Sequence, residues 1–195
     1  MTALVEGPKP SILRKAALFV LLAGLGGAVG FVGANMTDGV LTAWEDEVAV
    51  LMSVVLIATG LISAVVVAVR PSTVPKGCGL LQVAVMLLAG VMFLLPVFGS
   101  DWASAEIVFG GVLALLALQS AANLMLWRAA DEMLRRIMSE TSAMAFWAAQ
   151  LGLFVYAAAE RLGLVQSVSA WGMMGLLMGV YFICSIIAAA RRGIH

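Results

Sequence analysis

The chain has few charged residues. Only 11% of its 195 residues are Asp, Glu, Lys or Arg, whereas 63% are hydrophobic. A typical soluble domain carries about 25% charged residues, and a chain of this length buries only about 70% of its unfolded surface. The composition therefore excludes an ordinary soluble domain, because too much apolar surface would face water. The solvent that suits such a chain is the hydrocarbon of a lipid bilayer.

Histidine and cysteine are also scarce. The one histidine is the last residue, His195, and the two cysteines are Cys78 and Cys184. No Lys or His lies within an apolar window, so a serine or cysteine nucleophile there would lack its base. We therefore expect no enzymatic activity, no metal and no cofactor. The formal net charge is zero, and it gives no reason to expect a nucleic-acid partner.

Charged residues divide the chain into six uncharged windows. Each window holds on the order of 20 residues, the length at which a helix crosses about 30 Å of hydrocarbon. The windows are continuous rather than alternating, which favours helices over barrel strands. We predict an all-α, polytopic membrane protein with six transmembrane helices in three hairpins. The predicted segments are an N-terminal tail at 1–15, spans at 16–36, 48–69, 78–98, 106–127, 142–161 and 168–190, and a C-terminal tail at 191–195.

The basic residues predict the orientation of these spans. With six spans, ten of the eleven basic residues fall on the side of both termini, and Arg161 is the exception. That side has ten basic and four acidic residues, a net charge of +6, and the other side has seven acidic residues and one basic residue, a net charge of −6. An excess of Lys and Arg marks the cytoplasmic side. We thus predict cytoplasmic termini in a cell membrane, and take a bacterial inner membrane as the setting.

Four carboxamide side chains form the first candidate site. Gln82 begins the third span, Gln119 and Asn123 are four residues apart in the fourth, and Gln150 lies early in the fifth. Polar side chains in spans turn inward and seek partners. Two interpretations stay open: the carboxamides bond one another, or they line a small polar pocket open to the cytoplasm.

Small residues form the second candidate site. The first span carries Gly26, Gly30 and Ala34 at successive intervals of four, and the sixth carries Gly175 and Gly179. Such stripes allow close approach of helix backbones where lipid provides no hydrophobic drive. The two stripes either pack within one subunit or form an interface between subunits.

The connector between the fourth and fifth spans is the third candidate. It contains no Gly or Pro, and its charges suit a helix with pairs four residues apart. The predicted pairs are Asp131 with Arg135, Glu132 with Arg136, and Arg136 with Glu140. The connector either extends one of the two spans or lies on the membrane surface. Its charges either pair within the helix or form a docking site for a partner or for lipid headgroups. The docking candidates are Asp131, Glu132, Arg135 and Arg136.

These observations favour a non-enzymatic accessory or assembly subunit that acts through helix packing. Its expected partners are membrane lipids and a homo-oligomer or larger membrane complex. The alternative is a small-solute transporter or solute-binding component that uses a pocket lined by Gln82, Gln119, Asn123 and Gln150. That alternative requires the four side chains to converge around one cavity.

Overall fold

The computed structural model describes residues 41, 43–69 and 77–192. Within them the chain forms five α-helices, and a single 3-10 turn, Gly99–Asp101, follows the second. The helices are α1 (Trp44–Val69), α2 (Cys78–Phe98), α3 (Ala105–Ala129), α4 (Glu132–Arg161) and α5 (Ala170–Arg191).

The all-helical prediction is confirmed for the described part of the chain. All five helices are long and apolar enough to cross a membrane, which indicates a multi-pass membrane protein. They cover the second to sixth predicted spans, and α2 has the bounds predicted for the third. The N-terminal tail and the first predicted span, with Gly26, Gly30 and Ala34, lie outside the described residues, as does the end of the C-terminal tail at 193–195.

Two helices begin four or more residues before the predicted spans. The first turn of α1 contains Glu45, Asp46 and Glu47, because negative charge is favourable at the positive end of a helix dipole. Helix α4 begins at Glu132, ten residues before the predicted span 142–161. Neither Gly nor Pro interrupts the connector, so it continues directly into the fifth span.

The helices follow an up-and-down path, and α1 lies at the centre of the packing. Helix α1 packs against α2 and α5, α2 also packs against α3, and α5 also packs against α4. The order across the described bundle is thus α3–α2–α1–α5–α4. Helices α3 and α4 are at the two ends of this row, yet only Ala130 and Asp131 separate them in sequence. Three peptide units lead from Ala129, the last residue of α3, to Glu132, the first of α4, and they span at most about 11 Å. The row must therefore curve so that the end of α3 lies close to the start of α4.

A small core joins the central helices. Ala49 and Leu56 of α1 pack with Ala89 and Phe93 of α2. The indole ring of Trp171, near the start of α5, lies 5.7 Å from the Phe93 ring, measured between centroids, at an angle of 47°. This tilted contact brings α5 into the same core as α1 and α2.

Hydrogen bonds fix the acidic end of the bundle, where α4 ends and α1 and α5 begin. The Glu45 carboxylate accepts a bond of 3.2 Å from the Ser169 backbone N–H. The Tyr156 hydroxyl accepts one of 2.7 Å from the Val168 N–H. The loop between α4 and α5 is therefore tied to both α1 and α4. These contacts show that α1 and α5 run in the same direction, antiparallel to α4.

Candidate functional site

The four carboxamides lie on three helices and do not share one groove. Gln82 on α2 and Gln119 on α3 are half-buried, whereas Asn123 on α3 and Gln150 on α4 are exposed. Helix α2 packs against α3, but the packing partner of α4 is α5. Gln150 therefore belongs to a different part of the bundle from Gln82.

Gln150 lies in an open groove along α4. The groove has a volume of about 430 Å³, and all five residues that line it come from this one helix. Their intervals of three and four residues put them on one helix face, so the apolar side chains one turn before and after Gln150 flank its carboxamide. The same spacing of aromatic residues around a polar one is visible in the sequence itself. The lining residues are Phe146, Ala149, Gln150, Leu153 and Phe154.

The small-residue face of α5 packs within the chain. A Cβ atom added to Gly175 would lie 2.9 Å from Cγ1 of Val48, and one added to Gly172 would lie 2.8 Å from Cγ of Glu45. For Gly179, the nearest neighbour is the Met52 sulfur at 3.9 Å. Helix α1 of the same chain thus fills the face of α5 at Gly172 and Gly175.

Helices α1 and α2 also approach closely, at a site that the sequence analysis missed. The Ser53 hydroxyl donates a buried hydrogen bond of 2.8 Å to the Gly90 carbonyl oxygen. A Cβ at Gly90 would lie only 2.5 Å from Cγ1 of Ile57. A serine within a predicted span was the available signal, because such a hydroxyl seeks a partner on a neighbouring helix.

The connector uses its charges differently from the predicted pairs four residues apart. Asp131 precedes the helix and caps it, since its Oδ1 accepts a bond of 2.8 Å from the Leu134 N–H. Arg135 donates from Nε to the Trp127 carbonyl and from Nη2 to the Arg128 carbonyl, both at 3.1 Å. Asp131 thus bonds a free N–H group at the start of α4, and Arg135 bonds free carbonyl oxygens at the end of α3. Each side chain bonds a helix end instead of the other side chain.

The other two predicted pairs, Glu132 with Arg136 and Arg136 with Glu140, are also wrong as ion pairs. In the described segments the one ion pair within 4 Å joins Glu140 of α4 to Arg192, just after α5. Arg192 donates from Nε to Oε2 of Glu140 at 3.1 Å, and its Nη2 bonds Oε1. The contact is bidentate, and two parallel N–H···O bonds between a guanidinium and a carboxylate are stronger than a single one.

Chemistry-bearing side chains are few in the described segments. Cys78 and Cys184 are both buried free thiols. Over residues 43–69 and 77–192, no three His, Cys, Asp or Glu side chains are grouped to hold a metal ion. The arrangement supplies packing surfaces, one carboxamide groove and a basic end. No protein family, no curated protein and no solved structure matches this chain.

Proposed function

We propose that the protein is a non-enzymatic membrane subunit that assembles through helix packing, with the groove of α4 as the surface by which two copies associate. The observation that carries this proposal is the Gln150 carboxamide in an apolar groove. Hydrocarbon offers no hydrogen-bond partner, so a carboxamide at membrane depth is stabilised when another helix provides one.

The exposure of α4 supports this surface. Helix α4 packs against α5, while Phe146, Trp147 and Phe154 stay 61%, 62% and 76% exposed. Phe146 and Phe154 are each one turn from Gln150, so a second helix in the groove would contact both rings and the carboxamide together. Ala149, beside Gln150, leaves room for the close backbone approach on which membrane helices depend.

A second copy suits the groove because a carboxamide both donates and accepts hydrogen bonds. Two copies of Gln150 related by a two-fold axis can bond each other reciprocally, and the same apolar residues then face each other. A different partner would need its own polar group at the matching depth. The self-complementary chemistry of one residue therefore favours a homodimer.

The proposal includes six spans with both termini in the cytoplasm of a cell, in a membrane such as a bacterial inner membrane. The five described helices and the apolar window at 16–36 supply the spans. Charge supports the orientation, because one end of the described bundle has five arginines and three acids, and the opposite end has six acids and only Arg161. The arginine-rich end is the one expected to face the cytoplasm.

The experiment compares Gln150→Leu with the wild type in mild detergent, by native mass measurement over a range of protein concentrations. Two reciprocal side-chain bonds contribute about 1–2 kcal/mol in a membrane, so we expect the dimer dissociation constant to rise about tenfold. Asn123→Leu is the matched control, since it removes an exposed carboxamide from α3 instead. That variant should dimerise like the wild type.

Three results would overturn the assignment. The first is a wild type that stays monomeric at all concentrations. The second is a different protein bound to the groove in place of a second copy. The third is an intrachain disulfide between Gly26→Cys and Gln150→Cys, which would assign the groove to the first predicted span.

The solute-carrier alternative has less support. It needs several carboxamides around one cavity, whereas the groove contains Gln150 alone among apolar side chains. It stays a prediction, and solute uptake into vesicles with Gln82→Leu and Gln119→Leu variants would test it.

A further inference from the structure

A cluster of charged side chains lies where α4 begins and α5 ends. Glu140 of α4 pairs with Arg192. Arg136 lies one turn before Glu140, and Arg191 extends toward the next turn, with Nη1 3.9 Å from the Met144 sulfur. The cluster comprises these three arginines and one glutamate, a net charge of +2.

The single acid of this cluster is already bonded. The hydrogen bond from Arg192 holds the pKa of the Glu140 carboxyl below its usual value, and the charges of Arg136 and Arg191 act in the same direction. The carboxylate is therefore ionised at neutral pH, and its two oxygens are occupied by Arg192. Arg136 and Arg191 are both exposed, and within the described residues neither of them forms an ion pair.

We infer that Arg136 and Arg191 bind the phosphate of an anionic glycerophospholipid in the cytoplasmic leaflet. A guanidinium presents a planar fork of N–H donors that matches two phosphate oxygens, and two arginines near one Glu–Arg pair can share one headgroup. Basic groups between helices at the cytoplasmic surface are suited to negatively charged lipid headgroups.

The position of the cluster favours a lipid over a soluble phosphate compound. Glu140 immediately precedes the apolar part of α4, so the cluster lies at headgroup depth. Toward the hydrocarbon, Met144 lies two turns from Arg136 on α4, and Ile187, whose side chain is exposed, lies one turn from Arg191 on α5. Charged donors above and apolar side chains below match the phosphate and acyl chain of one phospholipid. This assignment is independent of association through the α4 groove.

The test uses the full chain in nanodiscs of phosphatidylcholine, with phosphatidylglycerol added in increasing amounts. Retention of phosphatidylglycerol is then counted by native mass spectrometry. Each basic residue near the membrane surface contributes about fivefold to anionic-lipid binding, so the double variant Arg136→Gln/Arg191→Gln should bind about 25-fold more weakly. Arg161→Gln is the matched control, because it removes an arginine from the opposite end of α4, and it should bind like the wild type.

Folding of the double variant is measured separately. The variant leaves the Glu140–Arg192 pair intact, so its fold should be unchanged. Its thermal unfolding in pure phosphatidylcholine should match the wild type. Equal retention of phosphatidylglycerol by the wild type and the double variant would overturn the inference. Equal retention of phosphatidylcholine and phosphatidylglycerol by the wild type would do so too. Displacement of the lipid by millimolar inorganic phosphate would assign the two arginines to a soluble anion instead.

Discussion

The Ser53 hydroxyl of α1 and the Gly90 carbonyl of α2 are joined by a buried hydrogen bond of 2.8 Å. The bond is possible because Gly90 has no side chain. A side chain at this position would collide with Ile57 and prevent the close approach of the two helix backbones. The Ser53 hydroxyl thus donates the hydrogen bond, and Gly90 leaves the space in which it forms. This crossing anchors the core formed by α1 and α2.

Gly90→Ala should destabilise the protein. The new Cβ would lie 2.5 Å from Cγ1 of Ile57 and 3.2 Å from the Ser53 carbonyl oxygen, so the Ile57 side chain or the helix backbones must shift. Overpacking of this kind costs about 1–3 kcal/mol. Gly110→Ala on α3 is the control, since its Cβ would meet nothing within 4 Å. It should be neutral or slightly stabilising. Reversible unfolding in mixed micelles measures the free energy of unfolding of both variants. Equal stability of the two variants would contradict this account.

Asp131→Ala should loosen the link between α3 and α4. The change removes the acceptor of the Leu134 N–H, and the loss of such a cap costs about 0.5–2 kcal/mol. Hydrogen exchange should accelerate in the first turn of α4.

Arg135→Gln should have its effect on the other side of the link, at the end of α3, because the Arg135 donors reach the Trp127 and Arg128 carbonyls. Ser139→Ala, at an exposed position of α4, is the control. Unchanged exchange in both capping variants would argue against the role of these side chains.

The pairing of Glu140 with Arg192 predicts a dependence of stability on pH. The Arg192 hydrogen bond lowers the pKa of Glu140, so folding favours the ionised carboxylate. Its contribution is present above the unfolded-state pKa and is lost as the pH falls through the lower folded-state pKa. Glu140→Gln should therefore be less stable than the wild type at neutral pH, and the two should converge in acid. Thermal unfolding between about pH 8 and pH 3 measures this difference.

The control for this titration is Asp101→Asn, a change at an exposed acid in the 3-10 turn at the opposite end of the bundle. It should follow the wild type across the pH range. A gap between Glu140→Gln and the wild type that stays constant down to the lowest pH would mean that the carboxylate charge is not responsible.

Several features of the fold followed from local sequence alone. The apolar windows predicted the helices, and the bounds of α2 agree with the prediction, because Gly77 before the helix and the apolar run within it are local signals. The absence of Gly and Pro suggested a helical connector, and α4 does run through it from Glu132. Which span the connector joins was not predictable, since the break at Ala130 and Asp131 also depends on how Arg135 of α4 reaches the last carbonyls of α3.

The candidate sites depended more on tertiary structure. The sequence identified Gln150 as a polar residue in a span, but it could not show that α4 packs against α5 and leaves Gln150 apart from Gln82. Likewise, Gly175 was identifiable as a small residue, while its contact with Val48 of α1 depends on how distant helices meet. Helix faces follow from spacing along the chain, whereas helix neighbours follow from packing among all the spans.

The sequence by itself determined that this chain is helical, apolar and asymmetric in charge, because the backbone in lipid must bond internally and charged groups must stay at the surfaces. Only the tertiary structure decided which polar groups on different helices meet: Ser53 with Gly90, Arg135 with the last carbonyls of α3, and Glu140 with Arg192. The physical reason is range. Hydrophobicity and helix formation act within a few residues, whereas a hydrogen bond between helices requires two backbones to be positioned by every other contact in the bundle.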